Sequence, residues 1–138
     1  MVNQMSNIKL GEIYVDPILS TEFAIQHDYQ KVHINNDVSN NILPNGTVSG
    51  LYVLCLLNSL ILKSNEYKGI LCARQININF KIPILRGEYL NVYSKYFLLR
   101  TSEKYNAILR HSDFYLIGEN KNIYAEIMIE HFLELKNE

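Results

Sequence analysis

The chain has 138 residues, and 48% of them are hydrophobic, which is enough for one sizeable core. Thirteen Lys and Arg residues stand against 14 Asp and Glu residues, so the sequence has no basic excess of the kind that a nucleic-acid partner requires. The hydrophobic content also excludes an intrinsically disordered chain. We therefore expect one domain over residues 1–138.

The cysteines, the N-terminal residues and the longest apolar stretch indicate where the protein acts and what it does not bind. Cys55 and Cys72 stand among apolar neighbours without other ligands at metal-binding spacing, which predicts two core thiols and no metal site. Residues 1–7 lack the charged start and apolar run of a signal peptide, so we expect a cytoplasmic protein. The longest apolar stretch, Val48 to Leu62, is shorter than the roughly 20 residues of a membrane span, and we expect no membrane partner.

The first half of the chain predicts little regular structure before one long helix. Glu12 to Leu19 is typical of a short strand, and Ser20 is a candidate cap for a brief helical turn through Ile25. The Asn-rich segment Asn35 to Asn45 is interpreted as a loop. Apolar residues then fill almost every helical face from Leu51 to Leu62, which predicts a helix enclosed by other structure.

The second half predicts long strands. From Gly69 to Phe80 apolar residues recur with a period of two, which predicts a strand of about eleven residues that ends before Pro83. Three further strand-like runs follow, at Tyr89 to Leu99, Asn106 to Ile117 and Ile123 to Leu135. One buried helix followed by long consecutive strands predicts an α+β fold, a long antiparallel sheet wrapped around one central helix. An open sheet with a helix packed across one face uses the same elements and stays an alternative.

Two polar residues at the end of the first segment could carry chemistry. Asp28 and His33 lie five positions apart, directly before the Asn-rich segment. Asn45, Gly46 and Thr47 follow at the expected start of the buried helix, where backbone N–H groups and the positive end of the helix dipole can hold an oxyanion. An acid–base pair beside such a site is a usable constellation. The spacing alone is more often that of a loop Asp that closes a turn.

At these positions the sequence resembles the MaoC-like acyl dehydratases and (R)-specific enoyl-CoA hydratases of the hot-dog superfamily. Phe23-Ala24 followed by Asp28-x4-His33 is similar to the family's Phe-Ala and Asp-x4-His. Asn45-Gly46 falls where the family has a small or polar residue and Gly at the start of the central helix. Residues 80–90 are similar to the family's F-x-x-P-V-x-x-G-D-x-L strand and turn.

The resemblance implies a hot-dog fold and a hydro-lyase that adds or removes water across the 2,3 bond of an acyl-CoA or acyl-carrier-protein thioester. Asp28 and His33 would share one water, and a His with an ordinary pKa near 6.5 suits that two-way proton transfer. Backbone N–H groups at Gly46 and Thr47, with Asn45 beside them, would hold the thioester oxygen as it gains negative charge. Thr47 and Ser49 are also candidates to hydrogen-bond a substrate carbonyl.

The resemblance also implies partners and cofactors. It implies no metal or redox cofactor, with CoA or the pantetheine of a carrier protein as the substrate carrier. A homodimer is expected, in which the two sheets join and protect an exposed edge. Arg86 and Lys81, on the Pro-Gly turn, are candidates to contact the carrier's phosphates, although turn cations are usually solvated.

Two other functions fit the same residues. A hot-dog thioesterase would use Asp28 without His33 to direct water to the thioester carbonyl. A non-catalytic acyl-binding or heterodimer subunit is also consistent, since Lys31 and Asn35 replace the Pro and the acidic residue that the family often has around the His.

The remaining histidines are less promising as acid–base groups. His27 is interpreted as a surface residue, because neighbours in an extended segment point opposite ways. His111 lies in a polar patch that is typical of the exposed part of a strand. His131 is in phase with Ile127 and Ile129, which favours a core or interface histidine with its hydrogen bonds satisfied.

Overall fold

The computed structural model describes residues 7–34 and 46–135. In these ranges five antiparallel strands form one sheet, in the order β1-β3-β4-β5-β2. The strands are β1 (Ile8–Tyr14), β2 (Ile70–Phe80), β3 (Tyr89–Ser102), β4 (Ala107–Ile117) and β5 (Ile123–Glu134). The helices are α1 (Pro17–His27), α2 (Lys31–Ile34) and α3 (Gly50–Lys63), with a 3₁₀ turn at Asn65–Tyr67. Within the same ranges, no helix has the length and apolar character needed to cross a membrane.

The start of α1 corrects the prediction of a strand from Glu12 to Leu19. The Oδ1 atom of Asp16 accepts hydrogen bonds from the backbone N–H groups of Ile18 and Leu19, both over 2.9 Å. Pro17 then occupies the first turn, where its fixed φ suits a helix and its missing N–H costs nothing. The cap of the helix is therefore Asp16, four residues before the cap predicted at Ser20.

The core lies between α3 and one face of the sheet. Along β5 the side chains alternate as predicted, with Ala125, Ile127 and Ile129 buried towards the helix. Leu57 and Ile61 of α3 are fully buried against this face. Complete burial of such a side chain contributes about 1.5–3 kcal/mol, so this contact orients α3 across the sheet.

The prediction that other structure encloses α3 holds for the side that faces the sheet, whereas another side is exposed in the described residues. Leu51 and Leu62 are 50% and 60% exposed, because one side of the helix faces the edge strand β2 and none of the elements in residues 7–34 and 46–135 covers it. Cys55 and Cys72, predicted to be core thiols, are both exposed along this open side. The helix thus carries more apolar surface than one copy of this sheet buries.

β2 departs from the predicted regular alternation. The pairing with β5 shifts register between Ile70 and Cys72 and again between Ala73 and Gln75. At the second shift an extra residue is inserted, and Arg74 reaches the side chain of Glu130. Strict alternation predicted that Arg74 and Ile76 share one face of the sheet. Because of the inserted residue, they do not.

Candidate active site

Asp28 and His33 are placed by the short connection between α1 and α2. Asp28 ends α1, and its backbone N–H donates to the carbonyl of Ala24 over 2.9 Å. The N–H of Gln30 then donates to the Asp28 carbonyl over 2.8 Å, and the N–H of His33 donates to the Gln30 carbonyl over 3.0 Å. These two bonds turn the chain so that the two side chains meet. Nε2 of His33 lies 3.6 Å from Oδ2 of Asp28.

The pair is largely shielded from solvent. The side chains of His33 and Asp28 are 9% and 16% exposed. Asp28 and His33, which the sequence predicted to act together, therefore lie close together in space, at a place where water access is restricted. Restricted solvent strengthens the electrostatic interactions of such groups.

The His33 ring is held in one tautomer. Its Nδ1 atom lies 2.8 Å from the carbonyl oxygen of Thr47, and a carbonyl only accepts hydrogen bonds, so Nδ1 carries the proton. The neutral ring therefore directs an unprotonated Nε2 towards Asp28. Two acceptors 3.6 Å apart do not bond to each other, but one water molecule can donate to both.

Ser49 fixes the carboxylate of this pair. Its hydroxyl donates to Oδ2 of Asp28 over 2.7 Å, and the residue is 1% exposed. Gln30 donates to the other oxygen, Oδ1, over 2.8 Å from an exposed position. Sequence reasoning considered Ser49 only as a partner of a substrate carbonyl. Its position at the N-cap of α3 is a recognisable signal, yet the side chain bonds to Asp28 and not to its own helix.

The start of α3 differs from the prediction. The helix begins at Gly50, so Gly46 and Thr47 precede it by three residues or more. Thr47 instead forms an isolated antiparallel bridge with Leu85, and the N–H of Arg86 donates to the carbonyl of Gly46 over 3.1 Å. Asn45, predicted to lie beside the substrate, falls outside the described residues. The backbone N–H groups at the true start of the helix belong to Gly50 and its successors.

A cavity of about 340 Å³ opens beside His33. Gly50 and the ring of Phe80 meet at its wall, where a Cβ on Gly50 would lie 2.7 Å from Cε2 of Phe80. A larger residue at this position would therefore require the Phe80 ring to move. Most of the lining is apolar: His33, Thr47, Val48, Gly50, Phe80, Lys81, Pro83 and Ile84.

The two predicted phosphate contacts are placed differently. Lys81 is exposed at the wall of the His33 cavity, with its Nζ 3.2 Å from Oε1 of Glu126. Arg86 packs over Gly46, and its Nη1 donates to Oγ1 of Thr21 over 3.0 Å, which ties the turn to α1. The structure therefore brings Lys81, and not Arg86, to the cavity.

The other three histidines differ from His33 in their surroundings. His27 is exposed, as predicted. His111 is half-buried, with Nε2 2.9 Å from Oδ1 of Asp113. His131 is buried as predicted, but its Nδ1 has no hydrogen-bond partner within residues 7–34 and 46–135, so the prediction that its bonds are satisfied is wrong. Burial, with a smaller effect of the Arg110 charge, lowers the pKa of His131 to about 4.

No grouping of three metal-ligating side chains occurs in the part of the chain that the structure describes.

No protein-family model matches the sequence, and no curated protein matches it.

Solved structures do match the fold. The MaoC-like dehydratase from Rhodospirillum rubrum superposes with a TM-score of 0.79 at 12% identity, over 96% of this chain and 93% of that chain. The (R)-hydratase from A. caviae involved in PHA biosynthesis gives a TM-score of 0.64 at 13% identity, over 99% and 95% of the two chains. The HadBC 3R-hydroxyacyl-ACP dehydratase complex from Mycobacterium tuberculosis gives 0.65 at 14% identity, over 96% and 94%.

The superpositions establish a common architecture. Identities this low do not establish a common activity, which must be argued from the residues of the site. The wrapped arrangement, and not the open sheet that was its alternative, is confirmed. The chain has the hot-dog fold that these dehydratases and hydratases share.

Proposed function

We propose that the protein is an enoyl-thioester hydratase, or in reverse a 3-hydroxyacyl-thioester dehydratase, in which Asp28 and His33 share the reacting water. The observation that carries this proposal is the pair of acceptors, Oδ2 of Asp28 and unprotonated Nε2 of His33, 3.6 Å apart beside a mostly apolar cavity. The fold is that of known hydratases and dehydratases, which supports the same class of reaction.

The pair suits the addition of one water molecule. Hydrogen bonds to Asp28 and His33 orient the water, whose oxygen bonds to the β-carbon of the enoyl group. His33 Nε2 accepts one of its protons, and a proton from the pair is delivered to the α-carbon on the same side, so that one water is added in total. Asp28 stabilises the positive charge that His33 carries during this transfer.

The thioester oxygen gains negative charge as water adds. In this proposal the donor to this oxygen is the backbone N–H of Gly50, a residue at the positive end of α3 and at the wall of the His33 cavity. Lys81 is available at the same wall for a phosphate of CoA or of a carrier protein's pantetheine arm. The chemistry itself requires no metal or redox cofactor. We propose that the protein acts in the cytoplasm as a single domain.

The active form is a homodimer joined through β2. This strand is an edge of the sheet, and its apolar residues Leu71 and Ile76 are 51% and 46% exposed. Pairing of β2 with the same strand of a second copy would satisfy the free edge and cover the open side of α3.

The test is an ultraviolet assay of the purified protein with crotonyl-CoA, a longer trans-2-enoyl-CoA and the corresponding carrier-protein thioester. We expect loss of the enoyl absorbance without release of free thiol, and we expect Asp28→Asn and His33→Ala each to lower kcat by at least about 100-fold, the lower range for a lost acid–base group. Thiol release at constant enoyl absorbance would instead identify a thioesterase. No turnover of any of the three by folded protein would refute the enzyme.

A further inference from the structure

A second cavity lies further along α3 and β2 than the one at His33. It is an open cleft of about 450 Å³ between α3, β2 and β5. Its walls are mainly apolar, but the imidazole of His131 and the amide of Asn58 are among them. The site described above does not use this cavity.

The linings of the two cavities come in part from the same two elements, α3 and β2. Gly50 and Phe80 line the first, and Leu54, one turn further along α3, and Ile76, four residues earlier in β2, line the second. A chain that enters beside His33 and continues between α3 and β2 therefore passes these residues in order. From Gly50 to Asn58 the helix rises about 12 Å, which is the length available to such a chain beside α3.

His131 is an unusual residue for the wall of such a cleft. It is 2% exposed, and its Nδ1 has no partner in the described part of the chain. Its ring packs edge-on against Tyr67, with 6.1 Å between the ring centroids. Burial keeps the pKa low, at about 4, so the ring is neutral at physiological pH and can donate one hydrogen bond and accept another. A purely apolar ligand would leave this capacity unused.

We propose that His131 hydrogen-bonds a hydroxyl or keto oxygen carried on the acyl chain of the thioester, where that chain lies between α3 and β2. This inference rests on the proposed function for the position of the thioester. It assigns a substrate class, acyl groups oxygenated at a distance from the reacting carbons, and it makes His131 a specificity-determining residue.

Binding of saturated acyl-CoAs tests the inference apart from catalysis, because they have no double bond to hydrate. The probes are decanoyl-CoA, dodecanoyl-CoA and their ω-hydroxy counterparts. We expect the hydroxylated chain of at least one length to bind about 2- to 10-fold more tightly, the range for one net hydrogen bond. The ¹⁵N resonances of His131, identified by their absence in His131→Phe, should shift with the hydroxylated ligand only.

Three variants complete the experiment. His131→Phe should remove the preference, and His131→Gln, which keeps a donor and an acceptor, should retain part of it. His111→Phe is the matched control, since this histidine lies on the neighbouring strand but does not line the cavity. Equal affinity for both chain types, an unchanged preference in His131→Phe, or no binding of any probe would overturn the inference.

The outcome is separable from that of the proposed function. Hydration of enoyl-CoA with no preference for oxygenated chains would leave the hydratase standing and remove the role of His131. Hydroxyl-dependent binding without hydration would keep the role of His131 and refute the enzyme.

Discussion

Ser49 occupies the N-cap of α3, yet its hydroxyl donates to Oδ2 of Asp28 and caps nothing in its own helix. One hydrogen bond of 2.7 Å thus connects the start of the central helix to the carboxylate at the end of α1. It fixes the oxygen that faces His33, and the Ser49 side chain caps none of the N–H groups at the helix start. In the proposed reaction the same small residue therefore orients the acid–base pair and keeps the helix terminus open to a substrate oxygen.

Loss of the Ser49 hydroxyl should lower activity without unfolding the protein. In Ser49→Ala we expect kcat to fall about 10- to 100-fold, because a hydrogen bond to a charged group contributes about 1.5–3 kcal/mol. The comparison is Gln30→Ala, which removes an exposed donor to the other carboxylate oxygen and should change kcat less than about 3-fold. Equal losses in the two variants, measured by the enoyl assay, would contradict the special role of Ser49.

Gly50 is required for the close contact between α3 and β2. In Gly50→Ala the new Cβ would meet the Phe80 ring at 2.7 Å, and we expect a loss of about 1–3 kcal/mol in the free energy of unfolding from this overpacking. Urea unfolding measures the change. Phe80→Leu made in the same background should recover part of the loss, since it withdraws the ring. Additive effects of the two substitutions would show that the contact is not the cause.

His131 should make stability depend on pH. Its pKa is about 4 in the folded protein against 6.5 ordinarily, so between these pH values the unfolded chain binds a proton that the folded chain does not. Stability should therefore fall as pH falls through this window, and should be unaffected by His131 above it. Urea unfolding at pH 7 and pH 5 should show a smaller loss in His131→Gln than in the unsubstituted protein. The same loss in both proteins would mean that His131 does not titrate in this way.

The β2 edge should control assembly. We expect the protein to sediment as a dimer at micromolar concentration, and Ile76→Lys to sediment as a monomer, because a charge on the paired edge opposes close approach. Leu99→Lys is the matched control, since Leu99 is 40% exposed on β3 and lies off this edge. A monomer before any substitution, or dissociation by both, would contradict pairing through β2.

Much of the fold could be predicted because its signals are local. The period-two pattern of Ile123 to Leu135 predicts a strand with one buried face, and β5 has that face. The prediction failed at Asp16 and Pro17, where a cap-and-proline signal outweighed the β-like residues before it. It also failed within β2, where bulges shift the pairing without any glycine or proline to mark them.

The sequence by itself determined the order of the elements and the presence of an Asp and a His in one short connection, because hydrophobic periodicity and motif spacing are written along the chain. The tertiary structure alone decided that Asp28 and His33 lie 3.6 Å apart, that Ser49 holds one and the Thr47 carbonyl the other, and that the open cleft beside α3 contains His131. These relationships join residues from different elements. Their distances follow from how α3 packs against the sheet, which no local pattern specifies.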